Sequence, residues 1–267
     1  MSKTGSAAKV KLNSFDDLFG TEQPQTGTEQ VQEIALSELH EFKGHPFKVL
    51  DDEKMQETME SIREHGVLMP GIARPMKDGG YEIIAGHRRR HACELVGLTT
   101  MPMFIRDYTD DQATIIMVDS NIQREDILPS EKAKAYFMKY EAVKHQGKKG
   151  KGNSLDEVGE TAGESAKTVQ RYIYLAHLSD ALLDMVDKKK IGIVQGVELS
   201  FLTEQQQEWV QVVLEETGVI ISTVQVSRLK EYGKSDELTL PMVRLILTEP
   251  KPIERKVTIK ADKISRY

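Results

Sequence analysis

Gly86-His87-Arg88-Arg89-Arg90-His91-Ala92 follows directly on the apolar run Ile83-Ile84-Ala85. A strand-like stretch ends in a glycine, and that glycine opens a helix whose first turn is crowded with arginine and histidine. Cations normally sit at the other end of a helix, where the dipole favours them. At the N-terminal end they repel the dipole unless an anion neutralises them. The free N–H groups of a helix start are themselves anion donors. The pattern predicts a phosphate site, most simply for a nucleotide. The alternative is a solvated basic turn.

A second constellation, Asp119-Ser120-Asn121-Ile122-Gln123-Arg124-Glu125-Asp126, lies at the expected end of an amphipathic helix. Asp119, Ser120, Asn121 and Gln123 can offer oxygens to a hard cation or its waters, and Arg124 can take a phosphate. Magnesium binds mainly through phosphate oxygens, with one or two protein oxygens and several waters. Taken alone the segment reads as a polar helix end. Together the two segments predict a polyphosphate cradle and a metal-facing edge. No Walker loop or dinucleotide fingerprint assigns a nucleotide elsewhere.

The third candidate is a helix-turn-helix at 154–175. Ser154-Leu-Asp-Glu157 reads as a capping box, with Leu155, Val158 and Ala162 on one face. Gly163 breaks the helix and Ser165 caps the next, whose Ala166, Val169 and Ile173 face inward. Its outward residues are Lys167, Thr168, Gln170, Arg171 and Tyr174. Gln and Arg read base edges, whereas Lys and Thr mostly hold phosphate. The pattern predicts binding to double-stranded DNA through Ser165, Lys167, Thr168, Gln170, Arg171 and Tyr174. Lys148 and Lys149, in a flexible basic linker, would add phosphate contacts; a helical hairpin and a plain tether are the alternatives.

These sites must be positioned by two kinds of structure. Residues 31–127 alternate strands and helices. Strands are expected at Val31–Leu36, Ile72–Pro75, Tyr81–Ile84 and Met101–Ile105, the middle two joined as a hairpin by Lys77-Asp-Gly-Gly. Asp51 or Asp52 caps a helix carrying Met55, Met59 and Ile62 and stopping at Gly66. Thr109-Asp-Asp-Gln112 opens a helix running to about Glu125. Residues 128–248 read as all-helical, with helices from about Pro129 to His145 and at 179–188, 203–216, 222–232 and 238–247. The fold class is α+β: a small mixed α/β N-terminal domain followed by an all-α helix-turn-helix domain. Residues 1–30 read as a disordered arm in which only Phe15, Leu18 and Phe19 could pack. Residues 249–267 read as an extended tail.

Composition narrows the class. The chain has 267 residues, 39% of them hydrophobic and only 6% aromatic, which suits small helical units. The single Cys93 excludes a disulfide framework or a cysteine-rich zinc site, and a reducing cytoplasm is expected. Cys93 and Trp209 are expected to pack in cores. His40, His45, His65, His145 and His177 lack metal-ligand spacing and receive no role. No apolar run reaches membrane-spanning length. The net charge of -6 argues against a general nucleic-acid coat but not against a local reader.

In the order and spacing of Ser61-Ile-Arg-Glu-His-Gly-Val-Leu-Met-Pro70, Gly86-His-Arg-Arg-Arg-His-Ala92, Ser120-Asn-Ile-Gln-Arg124 with Leu128-Pro-Ser-Glu131, and the helix-turn-helix, the chain resembles the ParB family of partition proteins from about Val31 to Thr203. The resemblance implies CTP and magnesium binding by the N-terminal domain and recognition of a palindromic centromere-like site. It also implies a homodimeric clamp on DNA, a ParA-type ATPase partner engaged by the N-terminal arm, and a cytoplasmic, nucleoid-associated location without a membrane. Gly86, His87, Arg88 and Arg89 would hold the triphosphate, and Gly66 and Pro70 would border the base. Asn121 would place magnesium, and Arg124 would face the phosphates or the domain joint.

Three positions depart from the family pattern. His87 stands where a glutamate is usual, His91 where an arginine is usual, and Ser120 where an acid tied to metal binding and hydrolysis is usual. Asp119 is adjacent, but one residue turns it about 100° around a helix. CTP hydrolysis is therefore left open. A C-terminal dimerisation domain is expected to be missing from this sequence, which leaves a truncated chain open. The other functions in view are a ParB-like transcription regulator or nucleoid-associated factor without a ParA partner, and a small phosphotransferase on the same fold. A related redox enzyme, sulfiredoxin, carries a cysteine in its Gly-Cys-His-Arg turn, which His87 after Gly86 does not supply.

Overall fold

A computed structural model describes residues 30–146 and 154–249. The arm with Phe15, Leu18 and Phe19, the linker with Lys148 and Lys149, and the tail beyond Glu249 lie outside the described residues.

The N-terminal part is a five-stranded sheet in the order β1-β5-β3-β4-β2. β1 (Val31–Ala35) pairs antiparallel with β5 (Thr100–Ile105), and β5 runs parallel to β3 (Gly71–Pro75). β3 and β4 (Tyr81–Ala85) form the expected hairpin, and β4 runs parallel to the short β2 (Leu39–His40), which the sequence reading lacked.

Ile83 and Ile84 explain why β4 reads as an unbroken apolar run. Successive strand residues point to opposite faces, so a strand covered on both sides needs no polar alternation. Ile83 packs with Met55, Met59 and Ile62 of α1 (Glu53–His65) and with Ala92 and Cys93 of α2 (His87–Val96). Ile84 packs with Met117 of α3 (Asp110–Asp119) and Tyr136 of α4 (Pro129–His145). The Asp52 carboxylate caps α1, accepting the Met55 N–H at 2.9 Å. Gly66, at φ 72°, ends it.

One expected boundary is corrected. α3 ends at Asp119 rather than near Glu125. The Ser120 hydroxyl and the Asn121 amide both turn back to donate to the Met117 carbonyl, at 3.0 and 2.9 Å. Such side-chain bonds compete with the helical ladder. The chain then curls so that Ile122 enters the core. Asn121 and Arg124 therefore lie on a tight turn, not on a helix face.

Beyond α4 the chain is helical among the described residues: α5 (Ser154–Glu160), α6 (Ala166–Leu175), α7 (Asp180–Asp187), α8 (Ile193–Leu199), α9 (Glu204–Thr217), α10 (Thr223–Lys234) and α11 (Leu240–Thr248). Ser154, expected as a cap, is already the first residue of α5. Thr109 forms its expected capping box, and Thr203 and Ser222 form capping boxes with Gln206 and Gln225. α8 is an addition to the helices the sequence predicts. Gly196 is a packing glycine: a Cβ there would come within 2.7 Å of Leu175. Leu175, Leu182, Leu199, Val210 and Val226 share one core, against which Trp209 packs. A second core crosses the expected boundary at 127/128, joining Ile84 and Met117 to Tyr136, Val158 and Val169.

Candidate functional site

Gly86 makes the sharp exit from β4 into α2. It sits at φ 111°, and a Cβ there would lie 3.2 Å from the Gly71 Cα. A side chain would strain both strand ends, so glycine is required for chemistry at the next three residues. The Arg90 N–H already bonds the Gly86 carbonyl at 2.9 Å, which begins the helix and leaves the N–H groups before it for a ligand.

The first turn is not a bare cluster of cations. Arg88 is paired with Asp52, and its hydrogen bond holds that carboxyl below the usual carboxylate range. Arg90 pairs with Glu94 at 2.8 Å, and His91 with Asp51 at 2.8 Å. Arg89 differs. It donates to the Met69 carbonyl and, at 3.0 Å, to the Pro70 carbonyl, and no carboxylate among the described residues pairs with it. Burial pushes its pKa below the ordinary guanidinium value, yet arginine stays charged.

His87 is neutral. Its Nε2 accepts a long 3.5 Å bond from the Phe42 N–H, which places the ring proton on Nδ1. Burial, with the neighbouring His45 and Arg90, pushes its pKa down to about 3. The His45 ring stacks on it at 3.9 Å between centroids. His45 Nδ1 donates to the Phe47 carbonyl at 2.8 Å, and burial lowers its pKa too.

Across the cleft stands the turn after α3. Asn121 spends its amide N–H groups on Met117 and Ser120, which leaves its oxygen without a donor among the described residues. That oxygen can face a cation. Asp119 does not: it is tied to the buried Lys139 at 2.6 Å. Arg124 forms no ion pair among the described residues.

One cleft is thus lined by His45, Lys48, Gly86, His87, Arg88, Arg89, Ser120, Asn121 and Arg124, with no carboxylate among its walls. Gly86 to Arg89 and the Asn121–Arg124 turn, distant in sequence, meet there. Its room of about 200 Å³ is small for a whole nucleotide, since ligand pockets span roughly 300–1,000 Å³. Arg89 also lines a second groove of about 410 Å³ with Ile62, Gly66, Leu68 and Met69. Gly66 lies in that groove, and Pro70 meets the site through its carbonyl on Arg89. Sequence reasoning missed His45 and Lys48. Neither sits in a patterned motif, and only the curl after β2 brings them to the cleft.

The helix-turn-helix is a separate surface. A Cβ on Gly159 would come within 2.3 Å of the Glu164 carbonyl oxygen, so α5 can cross the turn only at a glycine. Gly163 turns the chain at φ 66°, and the Ser165 hydroxyl accepts the Thr168 N–H at 3.3 Å to start α6. Lys167, Gln170 and Arg171 are exposed; Val169 and Ile173 are buried. Gln170 donates to the Tyr174 hydroxyl at 3.3 Å, and the Tyr174 ring leans on Phe201 at 5.2 Å. Tyr174 is thus half-buried rather than fully outward, as is Thr168.

Residues 20–122 match the family described as the ParB N-terminal domain. A "Probable chromosome 1-partitioning protein ParB" of Deinococcus radiodurans is 32% identical over 212 residues, covering 79% of this chain and 70% of that protein. The chain belongs to the ParB family. A second relative, a "Nucleoid occlusion protein" of Halalkalibacterium halodurans, is 31% identical over 182 residues, covering 68% of this chain and 61% of that protein. The chain thus spans less than two thirds of this relative. Among solved structures, the C-terminally truncated chromosome-partitioning protein ParB from Caulobacter crescentus complexed with CTP-gamma-S is 25% identical. It covers 70% of this chain and 97% of that one, at a TM-score of 0.33. The expected mixed α/β part followed by helices is the observed architecture of this ParB family member.

Proposed function

We propose that this chain is a CTP-regulated, site-specific DNA-binding protein of plasmid or chromosome segregation. One observation carries the reading: Arg88 and Arg89 from the start of α2 meet Asn121 and Arg124 from the turn after α3 across one carboxylate-free cleft. Family membership supplies CTP as the nucleotide.

In this reading the triphosphate lies against the Gly86 turn. The free N–H groups, Arg88 and Arg89 hold its oxygens by charge-assisted hydrogen bonds. Neutral His87 can donate from Nδ1. The cleft is too small for the base as well, and the adjoining groove past Arg89, lined by Gly66, would receive it, with Pro70 holding Arg89 through its carbonyl. The Asn121 amide oxygen would be the protein ligand for a magnesium ion held mostly by phosphate oxygens. Asp119 is committed to Lys139, and Ser120 offers no charge. The chain's own residues thus bind and orient a nucleotide, and no carboxylate among the described residues lines the cleft to activate water.

Gln170 and Arg171 read bases of a palindromic duplex site, and Ser165, Lys167, Thr168 and Tyr174 hold its backbone. Lys148 and Lys149 add phosphate contacts. A homodimer matches the palindrome, and a ParA-type ATPase moves the complex. Calorimetry with CTP, ATP, GTP and UTP, with and without duplex, tests the nucleotide part. CTP is expected to bind selectively, and Arg88→Ala to weaken it by about tenfold or more. Wild-type affinity in that variant overturns the assignment.

A second reading has a specific support: the nucleoid occlusion relative is as similar as the partitioning one. There the same protein acts on the nucleoid without a ParA partner. Co-purification of a ParA-type ATPase decides for segregation, and its failure under crosslinking decides for the second reading.

A further inference from the structure

Asp119–Arg124 is bolted at both ends to one turn of the helix-turn-helix. At its start, Asp119 Oδ1 meets Lys139 Nζ at 2.6 Å. The same ammonium donates to the Val158 carbonyl and to the Thr161 hydroxyl oxygen, each at 3.3 Å. Near its end, Gln123 Nε2 donates to the Thr161 carbonyl at 2.8 Å. Between these ties, Ser120 and Asn121 face the cleft.

We propose that Thr161, gripped by Lys139 and Gln123, is the positioning residue through which nucleotide in the cleft and DNA on α6 act on each other. The inference rests on the nucleotide reading above and names where its regulation passes.

The physical case begins with Lys139. Its side chain is 4% exposed, although α4 could present an apolar residue there. A buried ammonium is costly unless paired and hydrogen-bonded. It satisfies all three of its protons on one acid from the cleft segment and two oxygens from the helix-turn-helix. Its bonds span the two sites rather than stitching one element to itself. Gln123 makes the second tie independently. Thr161 then leads through Gly163 to Ser165, which caps the recognition helix. A ligand in the cleft that displaces Asn121 pulls on the segment between its two ties. That shift moves a donor on the Thr161 carbonyl and an acid on Lys139, and so the approach of α5 to α6. Spatial intermediacy alone does not show coupling; a measured coupling free energy does.

The test uses the full chain, CTP with magnesium, and a duplex selected by the wild-type protein from a random pool. Wild type is expected to change its CTP Kd on adding duplex by a factor in the usual allosteric range of about 5–150, with the reciprocal change for DNA. Thr161→Val replaces the hydroxyl acceptor with a methyl, and Gln123→Ala removes the side-chain amide that donates to the Thr161 carbonyl. Each is expected to bind CTP and DNA separately as wild type does, while the coupling factor falls about threefold or more, and further in the double variant. Lys134→Ala breaks an exposed ion pair between α4 and α7 and serves as the control that keeps coupling intact. Lys139→Met is the more severe variant, and if it unfolds the other two still decide. Undiminished coupling in both Thr161→Val and Gln123→Ala overturns this inference alone. A wild type that binds CTP and duplex independently overturns it as well. A wild type that binds no CTP overturns the nucleotide reading together with it.

Discussion

Asp52 and Arg88 hold each other at the mouth of the cleft, and the same carboxylate caps α1 through the Met55 N–H. In the proposed function a ligand phosphate would compete with this internal acid for Arg88. Asp52→Asn keeps the cap, because asparagine is as good an N-cap as aspartate, and removes the competing charge. Its CTP affinity is expected to rise by about three- to tenfold, a modest shift in binding free energy. Arg88→Ala is expected to weaken binding by about tenfold or more, since a charge-assisted contact is lost. Titration calorimetry on both variants checks this, and equal affinities across the set would show that Arg88 does not touch phosphate.

His87 makes stability depend on pH. The unfolded ring titrates near 6.5 and the folded one at about 3. Between these values the unfolded chain holds the extra proton, so stability falls as pH falls, by up to about 1.4 kcal/mol per pH unit. His45, also lowered by burial, adds in the same direction. His87→Gln is expected to flatten the slope of unfolding free energy between pH 7 and 5, measured by urea denaturation. An unchanged slope means the ring is solvated.

Gly86→Ala places a Cβ where φ is 111° and the Gly71 Cα is 3.2 Å away. Left-handed backbone alone costs a non-glycine residue roughly 1–2 kcal/mol. The variant is expected to melt several degrees lower and to lose CTP affinity, because the first turn of α2 tilts. A variant with the wild-type melting temperature would show that the turn relaxes freely.

Arg171→Ala and Gln170→Ala are expected to lower preference for the selected duplex over random DNA by about 1–3 kcal/mol each, the value of one base contact. Lys167→Ala is expected to weaken both duplexes alike and reduce the salt slope by about one unit. Competition binding at two salt concentrations separates these. Equal losses on both duplexes for Arg171→Ala would place it on phosphate.

Much of this architecture was legible before any tertiary contact was known. Asp52, Thr109, Ser165, Thr203 and Ser222 start helices because each places a side-chain oxygen over free N–H groups, a rule confined to one turn. The β4–Gly86–α2 junction is equally local: two apolar residues, one glycine and a run of cations. Where local rules compete, the reading failed. Asn121 could extend α3 or fold back on Met117, and it folds back. Gly196 could break a helix or admit Leu175, and it admits Leu175.

The amino-acid order by itself determined most of the elements, the cation-rich helix start and the family motifs, since these depend on neighbours within a few residues. Only the tertiary structure decided which charges are free. Asp119 turns from the cleft to Lys139, Asp52 takes Arg88, and His45 and Lys48 arrive from beyond β2. Pairing and burial depend on partners far away in the chain, and a charge's value to a ligand is set by what remains after those partners are counted.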